Sequence, residues 1–97
     1  MVTKSQSSIE RVQLGVRMEK RLVKVLKAVA EYRDLSLADL LEGIALHALE
    51  NKPPFSPATI ERIRQLRQVY GLELRADASH QLREAGPSPR GPSPKGK

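Results

Sequence analysis

Cysteine and tryptophan are absent from this 97-residue chain, and the aromatic side chains are limited to Tyr32, Phe55 and Tyr70. Without cysteine there are no disulfides and no thiolate metal centres. The two imidazoles, His47 and His80, have no clustered ligands beside them, so no metal site is expected. Three aromatics are too few for the stacking platforms of single-strand or RNA-binding modules. No apolar run approaches the roughly 20 residues of a membrane-spanning helix. The opening Met-Val-Thr-Lys-Ser-Gln-Ser-Ser lacks the apolar core of a secretory signal. We therefore expect a cytoplasmic protein (nucleoid-associated if bacterial) with no membrane partner. Paired carboxylates, a Ser/His/Asp set and a glycine-rich phosphate loop are also missing, so no catalytic residues, no enzyme and no cofactor are expected.

What the chain does have is positive charge, unevenly placed. The net formal charge is +6. Residues 1–18 contribute +2, residues 19–33 contribute +3, and residues 34–55 contribute −3. Residues 56–84 add +1 and the last thirteen add +3. Basic groups thus gather on the N-terminal third and on the tail, a footprint suited to a polyanion, most often nucleic acid.

The stretch Arg11 to Met18 organises the rest. Val12, Leu14, Val16 and Met18 fall on every second position, the period of a half-buried strand, with Arg11, Gln13, Gly15 and Arg17 between them. No second segment of this quality exists in the chain. A lone strand leaves backbone groups unpaired, so the segment is expected to pair with its copy in another molecule. Such a ribbon, with Gln and Arg outward, has a shape for the DNA major groove.

Glu19 to Arg33 then reads as a helix, with Leu22, Val23, Leu26, Val29 and Ala30 in one apolar stripe. Lys20, Lys24 and Lys27 share another face, either plainly solvated or turned to phosphates. Asp34 can take the left-handed position that ends a helix, and Ser36 with Asp39 resembles a capping box. The second helix runs to about Glu50 with Leu37, Leu40, Leu41, Ile44, Ala45, Leu46 and Leu49 over a wide apolar arc, suited to the centre of a dimer. Gly43 within it marks either a close helix approach or an incidental glycine. Because this helix carries Asp39, Glu42 and Glu50 and no Lys or Arg, it is a poor candidate for lying in the major groove as a helix-turn-helix reader does. Its N-terminus, with the Leu37 and Ala38 N–H groups and the Ser36 hydroxyl, is a candidate phosphate cradle.

Ser56-Pro57 restarts a helix, with Ser as cap and Pro at the first position. Ile60, Ile63, Leu66, Val69 and Tyr70 supply its apolar side; Gly71 closes it, with Leu72 folding back onto Leu66. Residues 74–84 hold at most one more short helix. From Gly86 the composition becomes a repeated Gly-Pro-Ser-Pro-basic unit, expected to be disordered.

Strand, helix, turn with Ser, helix is an order that resembles the ribbon-helix-helix DNA-binding family, the type of the methionine and Arc repressors. The resemblance covers about Arg11 to Glu50 and rests on Gln13-Leu14-Gly15-Val16-Arg17-Met18 and on the apolar spacing from Leu22 through Leu26 and Val29 to Leu35-Ser36. It implies a mainly α fold with one strand per chain, paired antiparallel in an intertwined homodimer, plus an extra C-terminal helix. The implied divisions are a flexible arm (1–9), the ribbon-helix-helix domain (10–52), a helical extension (53–84) and a disordered basic tail (85–97). It places Gln13, Gly15 and Arg17 at base-facing positions and Ser36 at the helix cap that holds phosphate; Arg11, Lys20 and the Leu37 and Ala38 N–H groups are expected toward phosphates from their own charge and position. The dimer core it implies is Val12, Leu14, Val16, Met18, Leu22, Leu26, Val29, Leu40, Leu41 and Ile44. Arg can fork onto guanine and Gln onto adenine, whereas Gly15 has no side chain to read a base.

The expected function is sequence-specific binding of double-stranded DNA, as a transcriptional regulator acting as a homodimer or in higher order on DNA. The alternative is an antitoxin-like or other protein-interaction module whose residues 55–84 bind a partner protein. A blander option is that this extension packs against its own dimer.

Overall fold

The structure, a computed structural model, describes residues 8–85. Three helices succeed one another: α1 (Lys20–Arg33), α2 (Leu37–Leu49) and α3 (Pro57–Tyr70), with a single 3-10 turn at Ala76–Ala78. None of these helices is long and apolar enough to cross a membrane.

Local chemistry sets each boundary. The Glu19 carboxylate accepts the Leu22 N–H at 2.8 Å and starts α1. Ser36 Oγ accepts the Asp39 N–H at 3.0 Å to start α2, and Ser56 Oγ accepts the Thr59 N–H at 3.2 Å to start α3, where Pro57 occupies the first turn. All three helices end the same way. A left-handed residue (Asp34, Asn51 or Gly71, φ 61, 59 and 68) reverses the chain, and the next residue's N–H reaches back to a carbonyl five positions earlier. Those bonds are Leu35 to Ala30 at 2.8 Å, Lys52 to His47 at 2.8 Å and Leu72 to Arg67 at 2.9 Å.

Packing is dictated by the apolar stripe of α1. Val25, Val29 and Ala30 are buried, together with Leu40 of α2 and Leu72 beyond α3. Leu22, Leu26, Ile44, Phe55, Ile63, Leu66 and Leu74 surround them. α1 rests chiefly on α3 and to a lesser degree on α2. Among the described residues the C-terminal extension is therefore the main neighbour of α1; Ile63 and Leu66 of its apolar side pack on the core, whereas Ile60, Val69 and Tyr70 stay exposed. The anticipated last helix of residues 74–84 is reduced to the Ala76–Ala78 turn.

The expected ribbon-helix-helix fold is not what the described residues form. They contain three helices and no strand. Residues 8–19 belong to no regular element, although their alternation is that of a strand. The reason is physical: a strand exists only when a neighbouring backbone completes its hydrogen bonds, and nothing else among the described residues offers one. Consequently Val12, Leu14 and Val16 stand 83, 76 and 66 % exposed, and Met18 also remains at the surface. The flexible arm predicted for residues 1–9 lies outside the described residues up to position 7, and the disordered tail lies outside them from position 86.

Candidate nucleic-acid interface

In the N-terminal third, two sets of cationic side chains stand out. The first rides on α1. Lys20, Lys24 and Lys27 recur at helical spacing on the side away from Val25 and Val29, and all three are exposed. Among the described residues none of these ammonium groups is in an ion pair. The row spans about 10 Å at 1.5 Å per residue. A shallow groove beside it is lined by Lys24, Lys27, Ala28, Glu31 and Tyr70, so the end of α3 forms its far bank. Arg21 anchors that bank, donating to the Gly71 carbonyl at 3.2 Å while pairing with Glu19 at 3.0 Å.

The second set is the segment that precedes α1. Gln13, Gly15 and Arg17 are all exposed, and a Cβ added at Gly15 would touch nothing within 4 Å. Arg11 is held from the other side of the fold. Its Nε donates to Glu42 Oε2 and its Nη2 to Glu42 Oε1, both at 2.8 Å, with Asp39 3.9 Å away. This two-point fork raises the Arg11 pKa and lowers that of Glu42 from its ordinary 4.5, hydrogen bonding being the largest cause for each. The Glu19 carboxyl is likewise lowered, first by the Leu22 N–H it accepts. Arg17 pairs with Glu84, 67 positions further on.

Of the residues expected to face phosphate, Arg11 is brought to Glu42 and Asp39 on the first two turns of α2, the helix that Ser36 caps and Leu37 and Ala38 begin. Ser36 Oγ is engaged by the Asp39 N–H. Asp39 and Glu42 bring negative charge to the same end, so this cradle is shared between one guanidinium and two carboxylates. Lys20 starts α1, while Ser36 lies beyond its far end, about a helix length away, and the two do not converge. The residues expected in a dimer core divide. Val12, Leu14, Val16 and Met18 are uncovered; Leu22, Leu26, Val29, Leu40 and Ile44 pack into the core of the single chain. Leu41 is half-buried. Further along α2, Leu46 and Leu49 are exposed by 65 and 84 %.

Three contacts were not visible in the sequence: Arg11 with Glu42, Arg17 with Glu84, and Arg62 stacked 4.9 Å from the centre of the Tyr32 ring. The first left a partial signal, since Asp39 and Glu42 sit three apart and share a helix face. The others join residues with no common periodicity. Imidazole chemistry plays no visible part: His47 Nδ1 lies 2.7 Å from the Gly43 carbonyl of its own helix, and His80 sits exposed at φ 67. Compared with protein-family models, with curated proteins and with solved structures, the chain matches none.

Proposed function

We propose that the protein binds double-stranded DNA as a pair of identical chains and acts as a transcriptional regulator. The observation that carries the proposal is the row Lys20, Lys24 and Lys27: exposed, free of ion pairs among the described residues, and continuous in sequence with the exposed Gln13 and Arg17. A row of unpaired ammonium groups attracts phosphates without reading sequence, while Arg and Gln on an accessible segment can meet base edges. The acidic α2 keeps its carboxylates at the other end of α1, around Arg11.

Pairing of two chains has separate support. Val12, Leu14, Val16, Leu46 and Leu49 are large apolar side chains left in water. A chain of this size gains much by covering such surface with a copy of itself. For a partner-protein role of residues 55–84, Ile63 and Leu66 are already spent on the core, and Ile60, Val69 and Leu82 remain as exposed apolar groups.

The test is duplex binding at a series of salt concentrations. Each phosphate contact contributes about 0.9 to the slope of log K against log salt. Replacing Lys20, Lys24 and Lys27 together by Gln removes six ammonium groups per pair of chains and is expected to flatten that slope by roughly 5. An unchanged slope removes the lysine row from the interface.

A further inference from the structure

After α3 the chain does not wander. Leu72 is buried at 5 % exposure and Leu74 packs on the same core. The Arg67 guanidinium donates to the Leu74 carbonyl at 2.8 Å, and the Ala76–Ala78 turn is followed by a Gln81 N–H to Ala78 carbonyl bond at 3.1 Å, three residues before Glu84. This segment delivers the Glu84 carboxylate to Arg17, which with Gln13 makes up the two side chains proposed for base contact. At the other end of the same stretch, Arg11 is occupied by Glu42. Both guanidiniums of the segment are thus met by carboxylates of the chain's own body, while the α1 lysines are left free.

We infer that Glu84 is a built-in competitor: in the free protein it fills the place on Arg17 that DNA must take, and duplex binding requires its displacement. The inference rests on the proposed DNA binding and adds a regulatory element to it. Arg17 in its pair is 82 % exposed and Glu84 is 69 % exposed, so the contact is open to exchange. An exposed pair of this kind changes an equilibrium constant by at most about fivefold. That strength suits a gate, since it penalises weak, non-specific encounters while yielding to a site that offers Arg17 a forked base contact.

The experiment compares affinities of the full chain for a random-sequence 20-base-pair duplex at low salt. The variants are wild type, Glu84→Gln, Arg17→Ala, the double variant, and Glu73→Gln. Glu73 is an exposed acid of the same segment, so its removal changes net charge equally. Glu84→Gln is expected to bind about two- to fivefold tighter than Glu73→Gln, and the advantage is expected to vanish when Arg17 is Ala. Equal affinities for the two glutamine variants, or an advantage that survives Arg17→Ala, overturns the gate while leaving DNA binding intact. Failure of every variant to bind duplex overturns the DNA reading and the gate together. A urea-unfolding cycle over Arg17 and Glu84, run without DNA, then shows whether the pair itself exists.

Discussion

Asp34 and Asn51 hold left-handed backbone, φ 61 and 59, that costs most L-residues about 1–2 kcal/mol. Exchange of Asp34 for Gly is expected to stabilise the fold by about 0.5–1 kcal/mol, and Asp34→Val to destabilise it by more, as read from urea midpoints. Gly43 makes the converse case. An added Cβ would meet nothing within 4 Å, so the close helix approach that a mid-helix glycine allows is absent within the chain. Gly43→Ala is expected to raise stability by about 1 kcal/mol; a loss instead would show a second chain packed against that spot. Acid sensitivity also belongs to single residues. The Glu19 and Glu42 carboxyls are held below 4.5 in the folded chain, by the Leu22 N–H and by the Arg11 fork. Their folded-state values are depressed, so their contribution is present above the unfolded value near 4.5 and is lost as pH falls through the folded values. Glu42→Gln should therefore flatten the decline in stability below about pH 4.5, measured by denaturant unfolding across that range.

At the scale of elements, what could be read from the sequence was local. The apolar stripe of α1, the caps Ser36 and Ser56, Pro57 at a first turn and the reversal at Gly71–Leu72 all depend on residues within a few positions of one another. The strand at Arg11–Met18 failed for the complementary reason. Its alternation is genuine, but a strand is a property of two backbones, and the described residues supply only one. The docking of α3 was half legible: periodicity marked its apolar side, yet nothing in a one-dimensional pattern says what that side will meet. It meets α1. Leu72→Ala, which empties a buried position shared by α1 and α3, is expected to cost about 2–5 kcal/mol. Truncation at Pro54 should unfold the chain rather than release a stable two-helix unit, because it strips Leu66, Leu72 and Leu74 from around Val25 and Val29. Circular dichroism of the truncated protein checks this. Of the candidate site, the lysine row was legible because helical spacing sets it; the pairings of Arg11 and Arg17 were not, since they join positions 31 and 67 residues apart.

For the described residues as a whole, charge and exposed apolar surface interleave before α1, where Arg11 and Arg17 flank Val12, Leu14 and Val16. The lysine row lies along α1, carboxylates gather at the start of α2, and further uncovered leucines and valines remain at the end of α2 and at Val69 and Leu82. If two chains cover that apolar surface, sedimentation should show a dimer. Charged substitutions at Leu14 and Leu46 together should then shift it toward monomer without unfolding α1–α3, since both side chains are exposed in the single chain. The central claim is that the free lysines of α1 meet DNA phosphates, and its most direct test is the salt dependence of duplex affinity for wild type beside the Lys20, Lys24 and Lys27 to Gln variant. The account predicts a steep fall in wild-type affinity with salt and a slope shallower by roughly 5 in the paired variant. Superimposable salt curves, or no duplex binding by wild type at low salt, would contradict it.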